Sequence, residues 1–181
     1  MSKTKKKILE SARSLLNEKG LSAVSQRTIA DYLNISPGNL TYHYKKRSDI
    51  IEALYFELVA NIDEAMLNLP NMSRNSLREG EGILDALYNL TKVIMENFYD
   101  YRFLFLDFIQ VMRENKPIKK HYWKLLEQRE QQFTQLFQLL ISQGLMRKEE
   151  LPNEYEHLFK RMAVVGDFWL AAAEFKRERI S

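Results

Sequence analysis

The stretch "TIADYLNISPGNLTYHYKKRSDI", Thr28 to Ile50, constrains this chain more than any other, because two helices start within it. Ser36 is a good N-cap, and Pro37 takes the first helical position, where its missing N–H costs nothing. Ser48 followed by Asp49 opens the next helix, with the carboxylates of Asp49 and Glu52 near the positive end of its dipole. The helix between them, Pro37 to about Tyr44, is only about seven residues long, and isolated helices under about 12 residues are marginal in water. Neighbouring elements must hold it.

Those neighbours are legible upstream. Apolar residues at Ile8, Leu9, Ala12, Leu15 and Leu16 have helical spacing, which predicts a helix over Thr4–Lys19, and Gly20 stands where a left-handed stop is wanted. Ser25 caps a second helix, Gln26–Leu33, with Ile29, Ala30 and Leu33 inward. Asn34 and Ile35 form a turn. Two helices joined by so short a turn make a helix-turn-helix, whose second member enters the major groove while the first lies across the backbone. Ile29, Ala30, Leu33, Ile35 and Leu40 are expected to pack on Leu9, Ala12 and Leu16. The small Ala30 permits a close crossing.

The remainder reads as helices. Only 6 Gly and 4 Pro interrupt the 181 residues, so helices of 15 to 25 residues fit between them. The helix opened at Ser48 continues through Ile51, Leu54, Tyr55, Leu58, Val59, Ile62, Met66 and Leu69 to Pro70. A linker, "NMSRNSLREGEG", Asn71–Gly82, follows, with a helix start near Ser76. Ile83, Leu84, Leu87, Leu90, Ile94 and Phe98 mark another helix. Asp100 is placed to cap "YRFLFLDFIQVMREN", a single helix apolar nearly all round. Pro117 opens a helix to about Gln143, with Trp123, Leu126, Phe133, Phe137, Leu140 and Ile141 inward and "EQREQQ" solvated, and Gly144 ends it. The last helix, about Asn153–Lys176, carries Leu158, Met162, Val165, Trp169 and Ala172 inward. The expected fold is all-α: a three-helix unit, residues 1–47, fused to a helical bundle, residues 48–181.

The net charge of +3 hides an asymmetry. The first 50 residues hold 10 Lys and Arg against 4 Asp and Glu, a balance of +6, which leaves −3 on the other 131. A basic patch confined to one region is the footprint of a surface that meets phosphates. There is no cysteine, so disulfide and thiol chemistry are excluded, in keeping with a reducing cytoplasm. The amino terminus has no apolar stretch free of charge, so no secretory signal is expected. The apolar run near the carboxyl end is broken by Asp167 and is too short for a membrane span. The expected location is the cytoplasm.

With Leu40 turned inward, Pro37, Gly38, Asn39, Thr41, Tyr42 and His43 face outward. Asn39 can donate and accept on a base edge, the Thr41 methyl can meet a thymine methyl, and Gly38 has no side chain to hold the backbone off a duplex. Tyr42 and His43 suit phosphate oxygens. Lys45, Lys46 and Arg47 supply positive charge, and Arg27 grips the backbone from the second helix. An enzyme would need a constellation that is absent here: His43, His121 and His157 lie far apart, no metal-binding His pair occurs, and there is no glycine-rich phosphate loop. No catalytic residue, cofactor or metal is expected.

The same stretch resembles the amino-terminal signature of TetR-type transcriptional regulators. The likeness covers residues 4–60 and includes Gly20, Ile29, Ala30, Leu40, Tyr42, His43 and Arg47. It departs at Thr41, where the family usually has an aromatic residue, and at Tyr44, where it usually has Phe. Beyond residue 60 the chain is similar in layout, with "YRFLFLDFIQVMREN" and the spacing to "GLM" similar to one branch. The resemblance implies that residues 48–181 sense a ligand and dimerise. By the same resemblance, a final helix seen in many relatives would be expected beyond "FKRERIS".

One helix in one groove offers few base contacts, each good pair being worth about 1 to 3 kcal/mol, so a homodimer on a palindromic operator is expected. Gly166 and Ala171, Ala172 and Ala173 permit close approach in the last helix, while Phe168, Trp169 and Leu170 leave apolar surface for a second copy. Phe103, Phe105, Phe108, Met112, Trp123 and Phe133, with Asp107, Gln110 or His121 as polar anchors, suit a pocket for a small apolar or aromatic effector. The expected function is a repressor released from its operator by that effector. The alternative is a structural or cell-cycle DNA-binding factor of the same fold without a small ligand.

Overall fold

In the computed structural model, the described residues are 3–68 and 80–178, and among them the regular structure is entirely helical. The chain forms α1 (Lys3–Lys19), α2 (Gln26–Leu33), α3 (Pro37–His43), α4 (Arg47–Asn68), α5 (Gly80–Asp100), α6 (Arg102–Leu106), α7 (Phe108–Glu114), α8 (Lys116–Ser142) and α9 (Glu154–Glu178). It divides into two compact units, residues 1–115 and 116–181. This division lies far from the expected functional boundary at 47/48, because α1 packs on α4 and α6 as well as on α2.

In the first unit, Ile8, Leu9, Ala12, Leu15 and Leu16 line the inward face of α1, as their spacing predicts. Gly20 ends the helix at φ +77°, and its N–H donates to Leu16 O at 3.0 Å. Ile50, Ile51, Leu54, Tyr55, Leu58 and Val59 are buried along α4. A fully buried Leu or Ile contributes about 1.5 to 3 kcal/mol, so this shared core supports helices too short to persist alone. The expected helix start near Ser76 lies outside the described residues, and the carboxyl end of the expected linker, Gly80–Gly82, is helical.

The expected single helix over Tyr101–Asn115 is two. Asp100 is the last residue of α5 rather than a cap, Tyr101 precedes α6 without a side-chain capping bond, and the chain bends at Asp107 (φ −108°, ψ 27°) before α7. An apolar pattern running all round gives no sign of where such a helix bends.

In the second unit α8 packs on α9. Phe133 contacts Phe137 and Phe159, with ring centroids 5.9 and 5.4 Å apart. Gly144 closes α8 at φ +73°, as expected. The buried side of α9 is corrected by about one residue: Phe159 and Leu170 are buried, whereas Met162, Val165 and Ala172, expected inward, are exposed. Trp123 is also turned out, at 57% exposure.

Candidate nucleic-acid interface

Two capped helices build the site. The Ser25 hydroxyl accepts from Thr28 N–H at 3.2 Å, and the Thr28 hydroxyl accepts from Ser25 N–H at 2.8 Å, a reciprocal capping box at the start of α2. Asn34 ends α2 in the left-handed conformation (φ 54°), and Ile35 N–H donates to Ala30 O at 3.1 Å, which turns the chain sharply. The Ser36 hydroxyl then accepts from Asn39 N–H at 3.2 Å, with Pro37 at the first helical position. Ile29, Ala30 and Leu40 are fully buried, while Leu33 and Ile35 are half-buried.

Tyr44 closes the other end of α3. It is buried, its N–H donates to Leu40 O at 2.9 Å, and its carbonyl accepts from Gln26 Nε2 at 2.8 Å, tying the end of α3 to the start of α2. Burial, with help from the Glu57 carboxylate, pushes its phenol above the usual range. Tyr44 therefore belongs to the core rather than the outer face.

That outer face consists of the residues expected there. Pro37, Gly38, Asn39, Thr41 and Tyr42 are exposed, Tyr42 at 84%, and His43 is half-buried beside the Tyr42 ring at 5.1 Å. The Thr41 hydroxyl donates to Pro37 O at 2.8 Å, which leaves its methyl as the group to offer outward. A Cβ added at Gly38 would meet only Ser36 Oγ, at 4.0 Å, so the folded chain has room for a side chain there. Arg27 is exposed on α2, 4.0 Å from Asp31, and Lys45 and Lys46 are exposed on the turn before α4. Lys46 N–H donates to the Asp49 carboxylate at 3.0 Å, which caps α4 and fixes that turn.

Arg47 does not join them. Its Nη1 donates to the carbonyls of Leu21 at 2.6 Å and Val24 at 2.9 Å, and its Nη2 meets Glu114 at 3.3 Å. These carbonyls lie between α1 and α2 and lack helical partners, so a guanidinium with several donors in a fork suits them. Sequence spacing showed Arg47 as one of a basic trio and carried no sign of this inward turn.

The expected pocket residues fall in both units. Phe105 is buried against Phe98, ring centroids 4.3 Å apart, and Phe108 and Met112 are half-buried, all in the first unit. Trp123 and Phe133 belong to the second unit. Asp107 is not turned to a cavity as expected: its Oδ2 accepts from Leu21 N–H at 2.9 Å. Among the described residues no cluster of His, Asp and Glu could hold a metal ion, and no helix is long and apolar enough to cross a membrane.

Comparison with known proteins agrees with this arrangement. Residues 8–54 match the profile of bacterial regulatory proteins of the tetR family, and residues 64–180 match the TetR profile described as a bacterial transcriptional repressor. The probable HTH-type transcriptional regulator YttP of Bacillus subtilis (strain 168) is 24% identical over 160 residues, covering 88% of this chain and 73% of YttP. In fold, the chain is similar to a TetR-family transcriptional regulator from Marinobacter aquaeolei VT8 (TM-score 0.78, 22% identity, covering 96% of this chain and 81% of that one). It is also similar to the TetR-family regulator PfmR from Thermus thermophilus (TM-score 0.66, 18% identity, 88% and 84% covered). The chain thus belongs to the TetR family of transcriptional regulators, DNA-binding helix-turn-helix proteins rather than enzymes.

Proposed function

We propose that α3 lies in a major groove and reads bases through Asn39 and Thr41, with Pro37 and Gly38 letting its backbone approach. Tyr42, His43, Lys45, Lys46 and Arg27 contact phosphates, and Arg47 is reassigned from that set to an internal brace. One observation carries the reading: on a seven-residue helix, Leu40 is fully buried while Tyr42 is 84% exposed, so the side away from the core is uncovered. Residues 1–47 are then the DNA-binding part, and residues 48–181 the effector-binding and dimerising part, of a cytoplasmic repressor.

A homodimer on a palindromic operator follows from the second unit. Met162, Val164, Val165 and Phe168 leave one side of α9 apolar and uncovered, a face suited to the same face of a second copy. A small apolar effector, resting on the half-buried Phe108 and Met112, would release DNA by favouring the state with mis-set reading helices. Selection of bound sequences from random duplex DNA tests the DNA reading: a palindrome with half-sites about one helical turn apart, or slightly more, is expected. Repeating the binding with apolar compounds tests the effector. Tight binding by any compound without a change in operator affinity overturns release by that compound's class.

A further inference from the structure

Four polar contacts join the DNA-binding part to the corner formed by the end of α5, α6 and α7. All lie within the first unit. Asn17 on α1 uses its amide in both directions: Nδ2 donates to Asp100 O at 2.7 Å, and Oδ1 accepts from Phe103 N–H at 3.2 Å. Four residues earlier on the same face of α1, the Arg13 guanidinium lies 4.8 Å from the centre of the buried Tyr101 ring. Asp107 takes the Leu21 N–H at the point where the chain bends, close beside the left-handed Gly20. Glu114, itself held by Gln110 at 2.8 Å, meets Arg47, which grips Leu21 O and Val24 O.

The groups engaged are those helices leave over. The carbonyl of Asp100 ends α5, and the N–H of Phe103 begins α6, so neither has a partner inside its own helix. Asn17 supplies both with one. The bend at Asp107, which divides an otherwise continuous apolar pattern, brings a carboxylate to the one N–H of the α1–α2 turn it bonds. Asn115 follows α7 and α8 begins at Lys116, so the chain passes from this corner into the proposed dimerising helices without a linker.

We infer that Asn17, Asp107 and the Arg47–Glu114 pair are positioning residues that fix the angle of the three-helix unit, and thereby the spacing between half-sites that the dimer accepts. This rests on the reading of α3 as the DNA-contacting helix of a homodimer. The half-site sequence belongs to Asn39 and Thr41; the distance between half-sites belongs to the braces. Four contacts at the α5–α7 corner, together with the continuous α4, hold the unit against rocking about the start of α4. Releasing them leaves α4 as the chief restraint, and neighbouring spacings become acceptable.

The test is selection from duplex libraries in which the two half-sites are separated by variable spacers, using the full chain with Asp107→Ala, Asn17→Ala and Glu114→Gln. The wild type is expected to select one spacing. Each variant is expected to keep the half-site consensus and to lose about tenfold in its preference for that spacing over its neighbours. Glu114→Gln removes only a part-exposed charge and keeps the assay informative if the other two unfold, which circular dichroism reports. A folded set of variants that retains the single spacing, or one that changes the consensus, overturns the inference alone. A wild type that selects no paired half-sites overturns the dimeric DNA reading and this inference with it.

Discussion

α3 and α9 each present a side that the chain itself leaves uncovered, and the two sides differ in chemistry. On α3 the uncovered residues are small, polar or tipped with a hydroxyl, from Gly38 through Tyr42; on α9 they are Met162, Val164, Val165 and Phe168. Water tolerates the first set readily, whereas contiguous apolar surface of the second kind is rare on a solitary chain and marks an interaction face. Exposure indicates that a partner belongs there, and composition indicates which kind. A backbone of phosphates with base edges between them suits α3; a second copy of the same apolar side suits α9.

The largest expected effect separates the two. Val165→Lys with Phe168→Lys places two charges on the uncovered side of α9, where the native residues are 62% and 41% exposed, so the chain's own packing should be little changed. Sedimentation is expected to shift from twice the chain mass to 21.5 kDa with helicity retained. Operator affinity should fall at least about 100-fold, because two linked reading helices gain that much or more over one. Retention of the dimer would show that α9 pairs with nothing there. Asn39→Ala comes next: discrimination at one base pair of each half-site should drop by about 1 to 3 kcal/mol, read as a changed consensus in sequence selection, with α9 pairing unaffected.

These helices also differ in how far their sequences disclosed them. Around α3, caps, a proline and a single buried leucine agree: Ser25, Ser36 and Pro37 fix both helix starts, and only one register buries Leu40. The outer side followed by subtraction. α9 is apolar on more than one side, so its sequence offered a choice of faces, and the side read as inward, with Met162 and Val165, is the one left uncovered. Periodicity detects a stripe but not which neighbour covers it. The α5–α7 corner was still less legible. Its bend depends on Asp107 reaching a backbone N–H from a residue 86 positions away, and no local pattern encodes such a bond. Arg47 was misread for a similar reason: a side chain in a basic run looks alike in sequence whether it turns to phosphate or to two carbonyls.

Gly38→Ala separates folding from binding on the α3 side. The structure leaves room for the new methyl, and Ala is favoured over Gly within a helix by up to about 1 kcal/mol, so the melting temperature should hold or rise. A methyl on the side facing the duplex should nevertheless weaken binding to every sequence, by about tenfold for a lost close approach of about 1.4 kcal/mol. Equal affinity with raised stability would mean that the backbone of α3 never comes close to the groove at that point.

The smallest effect concerns the one charge in the apolar span Met162–Ala173. Asp167 turns away from the uncovered side of α9 and accepts from the Tyr122 hydroxyl on α8, so the second unit keeps its charge inside and its hydrophobes outside. Burial raises the Asp167 carboxyl above its ordinary 3.8, and the Tyr122 hydroxyl opposes that only in part. A carboxyl with a raised folded-state pKa binds its proton more readily when folded, so its ionisation is a penalty at neutral pH that is relieved as pH falls through the raised value. Asp167→Asn keeps an acceptor for Tyr122 and removes the charge. Its melting temperature is expected to exceed that of the wild type at pH 7, with the gap closing towards pH 4; a gap that ignores pH would mean that the carboxylate is as well solvated in the folded chain as in the unfolded one.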